Sequence, residues 1–258
     1  MEYQYLSETV SVKKVSENDR EGVFEVEGLY AGYGLTVGNA LRRVLLSSLP
    51  GAAITHFKIK GVNHEFSTVE GVTEDVVEIG LNMKKIRFRI HTDEPQILNL
   101  KIKGEKEVTA ADIETNANVE LITPDIHIAT LSGKGVELDM EITVEKGLGY
   151  SPVESRKNDK LPIGMVALDA LFSPVVKVNF TVENMRVGER ADYNKLRLVV
   201  ETDGSLTPSA ALRKASNILQ DHFVKISGVE VKEAEPVAEE AAGEEKPKKK
   251  ATKKKKEE

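Results

Sequence analysis

The chain has 258 residues, of which 40% are hydrophobic and 30% charged, and its formal net charge is −6. This length supports one or two domains with a real core, and the absence of cysteine excludes a disulfide framework, a thiolate metal site and a cysteine nucleophile. No apolar run reaches the roughly 18 residues that a membrane-spanning helix needs, and with no Trp and few aromatics the chain is a poor candidate for a stacking platform for single-stranded nucleic acid.

Apolar residues at every second position predict a set of β-strands. The clearest are 136–144 and 176–182, and a shorter strand at 196–200 precedes the turn Asp203-Gly204. Weaker candidates lie at 22–30, 53–62, 86–91, 96–103 and 119–131. Because strands and helices do not alternate along the chain, the pattern favours an α+β fold over a doubly wound parallel sheet.

The first long helix follows the glycine-rich segment 31–34, with Thr36 as the predicted N-cap and Pro50-Gly51 beyond its end. Its apolar stripe consists of Val37, Ala40, Leu41, Val44 and Leu45. The glycine segment has the spacing G-x-G-x-x-x-G and lacks the Lys-Ser/Thr pair of a phosphate loop. We therefore interpret it as a turn into a helix rather than a phosphate site.

The second long helix is predicted from Pro208 to Ser227, with Thr207 as its cap and Gly228 as its stop. Its apolar stripe consists of Leu212, Ala215, Ile218, Leu219, Phe223 and Ile226. Two broad-faced helices near the two ends of the folded body predict that these ends meet and that the middle is an insertion. The faces suit either a dimer interface or a monomer core.

The remaining motifs point to structure rather than to chemistry. Thr73 is the predicted cap of a short helix whose first turn is acidic, and the five histidines lack metal-ligand spacing. No catalytic, cofactor or metal site is predicted. The basic segment 84–89 is interpreted as a solvated strand face or a docking surface for an acidic partner, and 146–152 with 154–160 as a flexible loop.

Residues 229–258 are predicted to be a disordered tail, because their Glu, Ala, Lys and Pro cannot bury enough apolar surface to offset chain entropy. Val229 to Glu245 carries seven Glu and one Lys, whereas Lys246 to Glu258 carries eight Lys and two Glu. The tail either keeps the protein soluble or touches nucleic acid or an acidic partner with its basic end.

The segment 32–51, GYGLTVGNALRRVLLSSLPG, closely resembles the first-helix signature of the bacterial RNA polymerase alpha subunit. The resemblance continues in the same order along the chain. It includes 64–75, 108–113, 146–150, 162–164, 173–175 and 186–195. Such a collinear series is far more specific than any one motif.

The resemblance implies a dimerisation subdomain of a sheet and two helices at 1–50 and 175–228, with a mostly-β subdomain inserted at 51–174. The homodimer would scaffold the beta and beta prime subunits of DNA-directed RNA polymerase, which hold the catalytic chemistry and its magnesium. The family's helical DNA-binding domain at the C-terminus is expected to be absent. DNA would be reached only through the complex, with weak contact by the Lys-rich tail.

The resemblance also assigns single positions. Arg43 and Leu46 match contacts to beta, and Lys84 and Leu168 match contacts to beta prime, although the family usually has Val at the latter. The dimer interface would consist of Leu41, Val44, Leu45, Leu212, Ala215, Leu219 and Phe223.

A bacterial cytoplasm, with the polymerase associated with the nucleoid, suits this resemblance, and so does a plastid stroma; no membrane partner or secretory signal is expected. The alternative is an unrelated homodimeric interaction module with a charged tail. A stand-alone enzyme for a phosphorylated ligand is disfavoured, since no set of acid, base and metal residues converges. Binding to the beta subunit would distinguish the alternatives.

Overall fold

The computed structural model describes residues 8–156 and 162–229. The predictions for residues 157–160 of the polar loop and for nearly all of the charged tail lie outside this part. The described residues form an α+β fold that is mostly strands, as predicted, with the three α-helices α1 (Tyr33–Ser47), α2 (Val76–Met83) and α3 (Pro208–Ser227). None of these three helices has the length and apolar character needed to cross a membrane.

Fourteen strands accompany the helices in the described residues. They are β1 (Ser11–Glu17), β2 (Glu21–Leu29), β3 (Pro50–Ile59), β4 (Phe88–Ile90), β5 (Gln96–Lys103), β6 (Lys106–Thr109), β7 (Val119–Leu121), β8 (His127–Leu131), β9 (Glu137–Leu148), β10 (Tyr150–Ser151), β11 (Met165–Ala167), β12 (Ala170–Leu171), β13 (Val175–Val187) and β14 (Arg190–Thr202).

The two ends of the folded body share one antiparallel sheet, in the order β1-β2-β14-β13. Phe24 on β2 lies opposite Leu198 on β14, and both are buried in a core that includes Leu45 of α1 and Ala215 of α3. The prediction that the two long helices meet is therefore confirmed.

The start of α1 differs from the prediction. Gly32, with a φ of 86°, is the N-cap, and the helix begins at Tyr33, so Thr36 is not the cap. The side chain of Asn194 on β14 accepts hydrogen bonds from the N–H groups of Gly32 and Gly34. A strand neighbour thus satisfies helix-terminal donors that a local cap would otherwise satisfy.

Two glycines of α1 let the helix approach the sheet closely. A Cβ at Gly34 would lie 2.6 Å from Cγ1 of Val182, and one at Gly38 would lie 2.7 Å from Cδ2 of Phe180. Any larger residue would force the helix or the sheet to shift. The glycine motif therefore serves helix-to-sheet packing.

Glu17 of β1 does part of the capping of α3. Thr207 is the N-cap residue and Pro208 the first helical position, as predicted, but the Thr207 side chain makes no capping hydrogen bond. A carboxylate oxygen of Glu17 instead accepts from the N–H of Ser209 at 2.8 Å. Lys14 and the Ser209 N–H stabilise the ionised form and lower the pKa of Glu17 to about 2.

The middle of the chain builds a second sheet in the order β5-β9-β3-β4-β7, with β11 also paired to β3. Its core is separate from the first one and includes Phe57, Ile79, Met83, Leu100 and Ile142. The loop predicted at 146–152 is wrong, because β9 continues to Leu148 and pairs with the first residues of β3. Gly149, with a φ of 62°, then turns the chain into β10.

Two local predictions in this region are also wrong. Asp75, not Thr73, caps α2, since its side chain accepts from the N–H of Glu78 at 2.7 Å. Glu74 points away from the helix and accepts from the N–H and hydroxyl of Thr130. The strand predicted at 119–131 divides into β7 and β8, with Pro124 in the connection.

Candidate functional site

A groove of about 830 Å³ with a mostly apolar lining, which we call the helix groove, lies on the surface of the described residues. It lies between β1, β2, α1 and α3. Its apolar lining consists of Val12, Phe24, Val26, Val37, Ala40, Leu41, Leu212, Leu219 and Phe223. Beyond it, the last turns of α3 expose Val224 and Ile226. A continuous apolar surface of this size is typical of a protein-protein interface.

The structure separates the residues predicted for the dimer interface into two groups. Leu41, Leu212, Leu219 and Phe223 line the helix groove, and Val44 is half-buried beside the core. Leu45 and Ala215 have no exposed surface, because both are enclosed in the chain's own core. These two side chains support the helices from inside and offer nothing to a partner.

Arg43 and Leu46, the predicted beta contacts, lie near the C-terminal end of α1, where both are exposed. The Arg43 side chain makes no hydrogen bond or ion pair with the residues the structure describes. The carbonyl of Leu46 accepts from the Ser173 hydroxyl at 3.2 Å, which fixes this end of α1 against the segment before β13. A free guanidinium beside an apolar side chain is a suitable anchor for a carboxylate-bearing partner.

Three apolar side chains that sequence reasoning missed adjoin this end of α1. Leu148, Tyr150 and Leu171 are all exposed, and Tyr150 pairs with Leu171 across β10 and β12. The Phe172 N–H donates to the Gly149 carbonyl at 2.8 Å, so these segments are held together. The signal in the sequence is an apolar residue at an outward strand position, and the turn-like glycines and proline of this segment hide it.

Lys84 and Leu168, the predicted beta prime contacts, line one small crevice of about 130 Å³. Lys84 Nζ lies 3.0 Å from Asp169 Oδ2, and both side chains are about one-third exposed. The Val153 N–H and Lys84 hold the pKa of Asp169 below its usual range. Leu168 is only 9% exposed, so most of the apolar surface here comes from Val77 and Leu81 on α2.

The basic segment at 84–89 is not a uniformly solvated strand face. Arg87 lies 3.7 Å from Asp203 and donates to the Leu171 carbonyl, and Arg89 donates to the Ser205 carbonyl at 2.8 Å. Both arginines therefore connect the second sheet to the loop that follows β14.

The described residues contain no group of three or more His, Cys, Asp and Glu side chains arranged to hold a metal ion. His127 contacts the carboxylates of Glu74 at 2.8 Å and Glu107 at 3.1 Å. Burial raises the pKa of Glu74, but the hydrogen bonds from Thr130 and His127 outweigh it and leave the pKa below its ordinary value. This arrangement fastens the start of α2 to β8.

The sequence is similar to those of known proteins along most of its length. Residues 57–173 match the family model described as the RNA polymerase Rpb3/RpoA insert domain. The chain is 52% identical over 209 residues to the DNA-directed RNA polymerase subunit alpha of Symbiobacterium thermophilum, covering 81% of this chain and 66% of the relative. Identity to the protein of the same name from Oceanobacillus iheyensis is 49% over 214 residues, covering 83% and 68%.

A third relative with this name, from Rubrobacter xylanophilus, is 54% identical over 207 residues, covering 80% of this chain and 66% of the relative. The chain thus spans about two thirds of the length of the curated relatives that it matches.

Proposed function

Because this chain belongs to the family of DNA-directed RNA polymerase alpha subunits, we propose that it forms a homodimer on which the large polymerase subunits assemble. The main support for this proposal is that the chain is about 50% identical to these relatives over about four fifths of its length. Identity of this extent disfavours an unrelated interaction module. In this proposal the chain is a non-catalytic subunit of the DNA-directed RNA polymerase complex, in a bacterial cytoplasm and associated with the nucleoid.

The helix groove supports the dimer. Apolar side chains of α1 and α3 line one surface, where Phe223 is exposed, Leu212 and Leu219 are half-buried and Leu41 is largely buried. A two-fold axis would place the same surface of a second copy against it. Burying this face in both copies removes apolar area from water twice, which is the main favourable contribution to association. The interface residues in this proposal are Leu41, Val44, Leu212, Leu219 and Phe223.

The two other surfaces support contacts to two different large subunits. Arg43 and Leu46 present a cation and an apolar anchor at one end of α1, which we assign to beta. Lys84, directly after α2, and the rim of Leu168, directly after β11, lie beside exposed Val77 and Leu81, and we assign them to beta prime. Since one surface lies near the end of α1 and the other beside α2 and β11, the two do not overlap on the chain.

The division into a dimerisation subdomain at 1–50 and 175–228 and an insert at 51–174 is part of the proposal. It is supported by two separate cores, one with Leu45, Leu198 and Ala215, the other with Phe57 and Ile142. Each sheet buries its own apolar face, so the insert can serve as an independent contact surface.

The Lys-rich end of the tail, residues 246–256, is proposed to touch DNA phosphates weakly and without sequence preference, because it holds eight Lys. Deletion of 229–258 should lower the affinity of the assembled polymerase for promoter DNA at low salt. Unchanged affinity would refute this contact without affecting the scaffold.

A native pull-down of the tagged full chain, with copy numbers from mass spectrometry, tests the scaffold. Recovery of two very large polymerase subunits, one copy of each for two copies of this chain, is the expected result. A clean homodimer without a large partner, from cells that express those subunits, would refute the proposal.

A further inference from the structure

A small crevice at the junction of the two sheets has a charge unlike the rest of the body. It encloses about 270 Å³ between the start of β3, the residues at and after β4, the end of β9, and α3 with the loop before it. Its lining includes Arg89, His91, Lys146 and Lys214 and contains no carboxylate among the described residues. The chain as a whole has a net charge of −6, so a cationic crevice is a local feature.

The cations are only partly neutralised. Arg89 pairs with Glu120 at 2.7 Å, and Lys146 pairs with Asp93, but both acids lie outside the crevice and are largely exposed to solvent. Exposed ion pairs of this kind contribute little and are readily exchanged. Lys214 makes no ion pair with the residues the structure describes.

The positions of the cations favour a compact anion with several charges. Arg89 lies on β4, Lys146 on β9 and Lys214 on α3, so the positive groups approach from three elements. A monovalent anion would compensate only one of them, whereas a di- or trivalent anion compensates several at once. A crevice of about 270 Å³ has room for a group of the size of pyrophosphate but lies below the size of ordinary drug-like sites.

From this geometry we propose that the crevice is a binding site for a small phosphate-bearing anion of the size of pyrophosphate, with one site per chain. Arg89 is held by the Ser205 carbonyl at 2.8 Å, so one cation is already oriented before the ligand arrives. Bound anion would join α3 to β4 and β9, and thereby stiffen the connection between the two sheets. The site is independent of the subunit contacts proposed above.

Isothermal titration calorimetry of the full chain with sodium pyrophosphate, at constant ionic strength, tests the proposal. We expect saturable binding at one site per chain, and Lys214→Gln or Lys146→Gln should weaken it about tenfold. Lys225→Gln is the matched control, because Lys225 is an exposed residue of the same helix outside the crevice. Its binding should equal that of the unaltered chain.

Proton NMR of the histidine rings locates the site. The His91 ring resonance, assigned with His91→Gln, should shift on addition of pyrophosphate, while those of the four other histidines stay in place. Non-saturating heat, equal loss of binding in Lys225→Gln, or an unshifted His91 would refute the proposal. Equal affinity for glutarate would also overturn it, by assigning the crevice to carboxylates of a protein partner.

Discussion

Replacement of Phe223 by Ala is the most direct test of the proposed dimer face. The ring lines the helix groove and is 60% exposed in the single chain. A phenylalanine side chain has an area of about 200 Å², so about 120 Å² is available to a second copy. At about 25 cal/mol per Å², burying that area is worth up to about 3 kcal/mol for each ring.

Part of this gain is offset by the cost of ordering two surfaces. We therefore expect a net loss of about 1.5 kcal/mol for each ring, or about 3 kcal/mol for a symmetric dimer, which raises the dissociation constant about 100-fold. Sedimentation equilibrium measures this constant, with a dimer mass of about 57 kDa, twice the 28.4 kDa of the chain.

Phe66→Ala is the matched control, because Phe66 is 79% exposed but lies on the insert, away from the helix groove. The free energy of unfolding of a monomer should change little in either variant, since both rings are mostly outside their own core. An unchanged dissociation constant for Phe223→Ala, or dissociation caused by Phe66→Ala, would refute the assignment of this face.

Three further outcomes are expected. Gly38→Ala should lower the free energy of unfolding by about 1 kcal/mol, because the clash with Phe180 outweighs the gain in helix propensity; urea unfolding measures it, and Gly135→Ala, with open space around it, should be neutral. Glu17→Gln should lower stability at pH 7 by up to about 1 kcal/mol. Since the folded pKa of about 2 lies below the ordinary 4.5, the stabilisation by Glu17 is complete above pH 4.5 and is lost as the pH falls towards 2; thermal melts across this range should show a flatter pH dependence for the variant. Arg43→Ala should leave the dimer mass unchanged and weaken capture of the large subunit about tenfold, and a loss of the dimer instead would show that Arg43 belongs to the two-fold interface.

Much of the fold was predictable from the sequence because its strands alternate strictly. The predicted strands at 176–182 and 196–200 lie within β13 and β14, and the one at 136–144 matches β9 except for its first residue. The C-terminal end of β9, where the sequence pattern predicts a loop, shows what alternation alone does not reveal. Its last three residues, Lys-Gly-Leu, are followed by Gly149 in a composition typical of a turn, and they form a strand only because β3 pairs with them.

Helix ends show the same limit. Thr36 and Thr207 have the right chemistry for a cap, but the side chains that bond the first turns of α1 and α3 come from distant parts of the chain. Asn194, about 160 positions away along the chain, satisfies the first turn of α1, and Glu17 takes a similar role for α3. A free N–H at a helix end can donate to any oxygen that the fold brings near, so local sequence alone does not identify the cap.

The sequence by itself determined which residues must leave water, and its motifs determined the family. Leu45 and Phe223 look equivalent in that respect, since both lie on the apolar stripe of a long helix. The tertiary structure decided that Leu45 is buried in the chain's own core, while Phe223 remains exposed in the helix groove. The physical reason is that hydrophobicity has no direction: it drives a side chain out of water, and only packing decides which surface receives it.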